Sequence, residues 1–595
     1  MFFFLKGFRM KRIWSNVAAV LLASGVAFGQ AGPAGVPAAK PAGLPAGVLA
    51  VVEFGSIETL QKHVSDFVNA TDALPPGVQV PPILNIFEGP LHSSDPSQMD
   101  ATQPVRFVLV KAGPRKVEAV LQCTVKDPAV YRSTLEQGLK KGEEKDGVTS
   151  YTDDQKTVAV GESGKTICVG EDAAAVGQAL ALVKSNALPQ AAMLQGGDVV
   201  ASIDVKALLN HMADEKGSVF GDLKNKIPMP PDATEQGQQV QRMLEVEVDA
   251  LETFLKQVDC ATVSLTPDAQ ELKLSAKVVP VQGGLLAAYL ATVPTGIPAT
   301  LKYMPEDAFA VCAFKVGNLE PLTIPLIALN TQIFAACGMD PVQTALLSSQ
   351  FSGVFKAYGD EGTIALRSGQ GMRAVGAMAL KDPEVIKAML QKMPELLGAL
   401  AGLYRNMGMP MQLQSEVVKY NDREITQVKF ALEAKPAAGT TPEPVEAAMA
   451  EAQQKMMQAM FGEGMTEDIV ILGKDAVVAM GSDSLDTVQQ IIDGKLKKLA
   501  DREDFRKTLA SIPAESCGFC LVQLTGLAEF GISIGRATGQ LPIPEIHFPR
   551  GPGVTAVFVT APAGSSVACD VRVPAAEIKA IADGMKSLSV PPPER

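Results

Sequence analysis

A chain of 595 residues that is 47% hydrophobic and 20% charged is long enough for several domains and too apolar to stay disordered. Its formal net charge of −12, with no basic stripe to override it, excludes nucleic acid and anionic membrane surfaces as electrostatic partners. Aromatic residues make up 5% of the chain, so cores must be built from aliphatic side chains and methionine, which weighs against sugar-stacking platforms.

The N-terminus has the pattern of a secretory signal peptide over residues 1–29. Met10-Lys11-Arg12 is a basic start, Val17 to Phe28 is an apolar run too short to span a bilayer well, and Ala27-Phe28-Gly29 offers small residues for cleavage. Residues 30–46 form a Pro/Ala/Gly spacer, extended by composition. Export to the periplasm or the extracellular space is therefore expected, with no integral membrane span after cleavage. Later apolar stretches are interrupted by proline, as in the run from Pro321, which contains Pro325 and Asn330.

Beyond the spacer, the chain repeats itself in order. Lys116 to Leu135 (KVEAVLQCTVKDPAVYRSTL) matches Gly371 to Leu390 (GMRAVGAMALKDPEVIKAML), Lys-Asp-Pro included. Leu44 to Phe54 matches Met304 to Phe314, and Val148 to Asp153 matches Val417 to Asp422. Ile167 to Leu180 matches Val477 to Ile491, Val199 to Leu208 matches Gly518 to Leu527, and Lys277 to Pro280 matches Val571 to Pro574. Six collinear segments divide the chain into a first α+β repeat over 47–295 and a second over 300–590. The changing spacing adds a helix around Asp232 to Val258 in the first and a Met-rich insertion near 444–465 in the second.

Within each repeat, short β-type runs alternate with helices. Leu49 to Phe54, Val105 to Val110 and Val117 to Val125 read as strands. Asp127-Pro128 and Asp382-Pro383 read as an N-cap followed by proline in the first helical turn, and Asp172 and Asp483 open further helices. Val148 to Tyr151 with Thr157 to Val160, and Thr262 to Leu265 with Glu271 to Val279, read as hairpins. The expected architecture is α+β: two tandem pseudo-repeats, each a mainly antiparallel sheet with helices packed on one face.

Chemistry-bearing motifs are sparse. Cys517-Gly518-Phe519-Cys520 is a C-x-x-C, but it aligns with Asp198 to Ala201 at the start of a β-type run. A strand puts these two thiols on opposite faces and offers no helix N-terminus to activate them. Cys517 and Cys520 thus stand as a candidate redox or disulfide pair beside the plainer reading of buried thiols. The four histidines, His63, His92, His211 and His547, lie outside metal-ligand spacing of one another, and no nucleophile elbow, P-loop or dinucleotide fingerprint occurs. The pattern implies no catalytic residues, no metal and no cofactor. Met449, Met456 and Met460 fall at helical spacing in the second repeat's insertion. They suit packing on a core, or a soft surface for an apolar ligand.

The segments DAVVAMGSD (Asp475 to Asp483) and LADREDFRKTLASIPAE (Leu499 to Glu515) each lead into a helix or strand in an order that resembles a domain-of-unknown-function family of exported bacterial envelope proteins. The resemblance covers the last 120 residues or so and implies location and fold class only. The expectation from sequence is a non-enzymatic secreted or periplasmic binding or scaffolding protein, whose partner is a protein or an apolar small molecule. The alternatives are an exported thiol-redox protein using Cys517 and Cys520, or an apolar-ligand or lipid carrier.

Overall fold

The computed structural model describes residues 44–588 apart from 75–77, 94, 154–155, 188–196, 214–234, 368–370, 372, 407–410, 433–464, 538–545 and 547. The segment expected to be a signal peptide, most of the expected spacer, His547, and Met449, Met456 and Met460 lie outside the described residues.

The protein is α+β, and among the described residues twenty strands form one sheet in which all the pairings are antiparallel. Ten strands precede residue 300: β1 (Val48–Phe54), β2 (Val105–Gly113), β3 (Lys116–Thr124), β4 (Lys140–Lys145), β5 (Val148–Thr152), β6 (Thr157–Ser163), β7 (Thr166–Gly170), β8 (Val199–Asp204), β9 (Val258–Pro267) and β10 (Glu271–Pro280). Ten follow it: β11 (Ala308–Lys315), β12 (Tyr358–Arg367), β13 (Arg373–Leu380), β14 (Met411–Tyr420), β15 (Arg423–Leu432), β16 (Met465–Leu472), β17 (Asp475–Met480), β18 (Ser516–Val522), β19 (Val554–Thr560) and β20 (Val567–Pro574).

The pairings give the first half the spatial order 4-5-6-7-3-2-1-8-9-10. The second half runs 14-15-16-17-13-12-11-18-19-20, the same order strand for strand. The halves join where β10 pairs with β20, Leu274 opposite Val571 and Ala276 opposite Cys569. Ser275 Oγ donates to Asp570 Oδ1 across this seam at 2.5 Å, and Lys273 lies 3.4 Å from the same carboxylate.

Sheet position corrects one match drawn from sequence. Val148 to Thr152 is β5, whereas Val417 to Tyr420 belongs to β14, which holds the place of β4. Both stretches alternate apolar and polar residues beside a tight two-residue turn, and a period-two pattern slides easily by one hairpin. The turns that correspond are Asp146-Gly147 (φ 53° and 79°) and Asn421-Asp422 (φ 45° and 58°), left-handed pairs suited to two-residue hairpins.

Local chemistry starts the helices. Besides a single turn at Glu88–Leu91, the α-helices among the described residues are α1 (Ile57–Thr71), α2 (Pro128–Gly138), α3 (Ala173–Lys184), α4 (Val205–Met212), α5 (Glu235–Leu255), α6 (Leu285–Leu290), α7 (Glu320–Ala336), α8 (Pro341–Ala357), α9 (Pro383–Gln391), α10 (Met393–Asn406), α11 (Ser484–Ile492), α12 (Glu503–Ala510), α13 (Leu524–Ala537) and α14 (Ala575–Leu588). Asp127 caps α2 by accepting from Ala129 N–H at 2.8 Å, and Asp382 caps α9 by accepting from Glu384 N–H at 3.0 Å, each with proline at the next position. Asp172 and Asp483 precede α3 and α11, and each also meets a cation from the first residue of the strand beside it: Lys116 at 2.7 Å and Arg373 at 3.2 Å. Lys116 and the N–H of Ala175 hold the Asp172 carboxyl below the usual carboxylate range.

The proline-interrupted run does not stop a helix. α7 passes through Pro325, which lies within its first two turns, where few backbone hydrogen bonds are lost. α7 and α8 form an antiparallel hairpin whose core, Phe334, Cys337, Met339 and Leu347, packs with Leu396 and Ala399 of α10 and with Met243 of α5. From Pro321 to Phe355 the only charged residue is Asp340, which caps α8. No helix among the described residues is long and apolar enough to cross a membrane.

Candidate binding face

Strand period and register sort the side chains of the sheet onto two faces. In the first half, one face carries Val108, Val120, Ala159 and Cys168 and is sealed by Ala175, Val176, Ala179 and Leu180 of α3. The other carries Phe107, Leu121, Cys123, Ile167 and Val169, sealed by Phe87 and Leu91 of the β1–β2 connection and by Tyr131 and Leu135 of α2. The expected one-sided helix layer thus extends to both faces here.

The second half seals one face in the same way. Val311, Ala313, Val375, Ala377, Val477, Phe519 and Leu521 pack under Val488 and Ile491 of α11 and Phe505 of α12. Its other face differs. Cys312 and Phe314 on β11 lie opposite Ile364 and Gly362 on β12, which lie opposite Gly376 and Met378 on β13. This surface is apolar throughout, yet Ile364 is 46% and Phe314 36% exposed. Among the described residues, α9 covers its far end, where Ile386 and Leu380 meet Ile471 and Ala476.

Matching positions show what has changed. Phe54 and Phe107 of the first half form an aromatic cluster with Phe87, at centroid distances of 5.4, 6.3 and 5.9 Å. Phe314 and Ile364 take the places of Phe54 and Phe107 in β11 and β12. The residues that would supply a counterpart of Phe87 instead form the α7–α8 hairpin, which packs on α5 and α10. Gly362 leaves room for the exposed Phe314 ring, since a Cβ there would lie 2.8 Å from Phe314 Cζ.

The same face continues across β18, β19 and β20 through Gly518, Cys520, Ala556, Phe558 and Val571, where it closes: Gly518 and Ala556 are buried, and Cys569 opposite Phe558 is inaccessible. In its middle, Cys312 and Cys520 are directly opposed at a Cα separation of 4.1 Å and joined by a disulfide. This corrects the candidate pairing of Cys517 with Cys520. Both residues lie on β18, three apart on a strand, so their side chains diverge and the partner of Cys520 comes from β11. Cys517 is buried and near Thr560, and burial pushes its thiol up. Burial likewise pushes the Cys168 thiol up to about 12 and raises those of Cys123 and Cys569. These are the thiols of small buried hydrophobes, not of activated nucleophiles.

Other charged groups have structural partners. Arg367 grips Asp307 through Nε at 2.9 Å and Nη2 at 3.0 Å, and donates to Thr487 at 2.9 Å. His63 Nδ1 lies 2.7 Å from Asp198 Oδ2, tying α1 to the entrance of β8. Among the described residues, no three His, Cys, Asp or Glu side chains converge in a way that could hold a metal ion. A shallow cleft of 280 Å³ at the edge between β14, β15 and β16 is lined by Gln412, Gln414, Lys429, Phe430 and Met465 among others. It carries no titratable pair.

The open face had a signal in the sequence only in part: Phe314 stands in the same local pattern as Phe54, and nothing near it says whether it will be covered.

No family model matches the chain, and no curated protein matches it. Among solved structures, crystal form IV of TP0453 aligns at 10% identity over 39% of this chain and 77% of that one, with a TM-score of 0.21. Crystal form I of TP0453 aligns at 9% identity over 41% and 82%, with a TM-score of 0.20. Scores this low carry no argument about fold or function.

Proposed function

We propose that this protein is an exported, non-enzymatic binding protein that receives an apolar ligand on the open face of its second half. The observation that carries the reading is the contrast at equivalent positions: Phe107 is 5% exposed under Phe87, whereas Ile364 is 46% exposed. A contiguous apolar surface that the described residues leave uncovered is the ordinary mark of a binding site. The charge-light α7–α8 hairpin, with Ile324 80% and Val342 76% exposed, extends the apolar character of the same half. Descent of the two halves from one duplicated module belongs to the same proposal; their matched strand order and caps support it.

Fluorescence titration with 1-anilinonaphthalene-8-sulfonate tests the reading. The natural chain should bind the dye, and Ile364→Lys should abolish that binding while circular dichroism stays unchanged. Equal dye binding by Ile364→Lys would overturn the assignment of the site.

A thiol-redox enzyme built on Cys517 and Cys520 is less well supported. The sulfur of Cys520 is engaged by Cys312, and the Cys517 thiol is buried.

A further inference from the structure

The Cys312–Cys520 bond occupies a cross-strand position that has a direct equivalent in the first half. There, Val52 on β1 lies opposite Ala201 on β8, in the same register between the same two strands of the order. Val52 and Ala201 hold that part of the sheet together without a covalent link. A disulfide is therefore not a requirement of the fold at this point, and its presence in the second half calls for another reason.

Its setting supplies one. Cys312 and Cys520 are half-buried and lie at the border of the open apolar face, between the exposed Ile364 and Phe314 and the buried cluster of Ala556 and Cys569. Cys312 is the cross-strand neighbour of Ile364, and Phe314 stands two residues further along the same strand. On the other side Cys520 is opposite Ala556, and Phe558 follows. The bond thus borders the residues that form the proposed ligand surface and touches Ile364 and Phe314 through β11. Cys123, Cys168, Cys337, Cys517 and Cys569, by contrast, are buried.

Two bonded sulfurs occupy less room than two thiols, which must stand apart at van der Waals separation. With the Cα atoms of an opposed pair 4.1 Å apart, two thiols cannot keep the positions of the bonded sulfurs. At least one side chain must rotate or the strands must part, and either movement disturbs Ile364 and Phe314.

We propose that Cys312–Cys520 is a redox switch, reducible by a dithiol in the folded protein, whose state sets the affinity of the open face for its apolar ligand. The proposal rests on the binding reading above and adds its regulation. In the reductive step a thiolate of the dithiol attacks one sulfur and the Cys312–Cys520 bond breaks. The sulfur released leaves as a thiolate and takes a proton. The second thiol of the reductant then displaces the remaining protein sulfur, which is protonated in turn. Two electrons and two protons pass to the protein, and the reductant ends as a disulfide.

The test uses the full chain, oxidised or treated with dithiothreitol without denaturant, alkylated with iodoacetamide and mapped by mass spectrometry. Label gained on reduction should fall on Cys312 and Cys520, with circular dichroism unchanged. Affinity for 1-anilinonaphthalene-8-sulfonate should change on the order of fivefold or more between the two states, the lower end of ordinary coupling between sites. The double variant Cys312→Val with Cys520→Ala copies the first half's pair, so it should fold and bind the dye with an affinity indifferent to dithiothreitol. A bond that yields only in denaturant overturns the switch, and so does equal dye affinity in both states. Dye binding in neither state would instead sink the binding reading itself, while the alkylation result would still decide whether the bond is addressable.

Discussion

The two halves hang the same ten-strand order on one continuous sheet, yet they treat one face of it differently. At β3, Val120 on one side and Leu121 and Cys123 on the other are all nearly inaccessible. At β13, Val375 is sealed, while Gly376 and Met378 at the next positions are half-buried. The strands themselves do not account for this. The connections do: residues between β1 and β2 fold back over the sheet and bring Phe87 and Leu91 to it, whereas those between β11 and β12 build the α7–α8 hairpin and pack on other helices. One strand order thus serves as a closed core in one half and offers a surface in the other. A core is set by what covers a strand as much as by the strand.

The sharpest way to break this comparison is to truncate equivalent aromatic contacts. Phe87→Ala opens a cavity inside a sealed cluster and should cost about 3–5 kcal/mol. Phe314→Ala, whose ring is partly in water already, should cost under about 1 kcal/mol while weakening dye binding. Urea unfolding of both variants checks the pair. Should Phe314→Ala cost as much as Phe87→Ala, the second face would have to be covered in the folded protein, and the contrast would vanish.

The parts of this structure that were legible in the sequence are those fixed by neighbours a few residues away. Asp127-Pro128 and Asp382-Pro383 cap helices because the cap and the amides it satisfies lie within three residues. The hairpin from β9 to β10 and the extra helix α5 were legible for the same reason, as turn chemistry and apolar spacing are local. The Cys312–Cys520 pairing spans 208 residues and needs the sheet order before it can be seen. Cys517, three residues from Cys520, looked like the natural partner because sequence distance stood in for distance in space. The open face was hidden by the same limit: β11 and β1 carry Phe314 and Phe54 in matching patterns, and the difference between them is made by a connection that never returns.

A smaller effect sharpens the comparison on the sealed face. Asp468 on β16 is fully buried, and its sheet position corresponds to Ala159 on β6, each opposite a small residue of the next strand. Burial raises the Asp468 carboxyl above its ordinary value of 3.8, although Ser484 and Gln427 donate to it, the latter at 2.9 Å. Burial, and then the charge of Asp468, raises Glu467 as well. The folded protein therefore holds this proton more tightly than the unfolded chain. Between the ordinary value and the raised one the native state binds more protons, so this group's contribution to stability falls as pH rises through that window. Asp468→Asn keeps the size and one acceptor and removes the titration. Its stability should exceed that of the natural chain at pH 7, and the advantage should disappear below the ordinary carboxylate value. Urea midpoints from pH 3 to 8 read the difference; an advantage independent of pH would mean that the carboxylate is not what costs stability there.

The smallest expected effect tests the likeness of the halves, not their difference. Asp127 and Asp382 cap equivalent helices, and each accepts from the amide two residues on. Neither touches the face that distinguishes the halves. Alanine at either position should therefore cost about 1 kcal/mol, the ordinary loss of a helix cap. Because the two caps lie in different halves and share no partner, the double variant should cost close to the sum of the two, within about 0.5 kcal/mol. A markedly larger loss from Asp127→Ala would have a definite meaning. α2 seals a core through Tyr131 and Leu135, whereas α9 buries only Ile386 at its own end of the sheet. An unequal pair of caps would then report how much more of the first half's stability is carried by the helix that covers its second face.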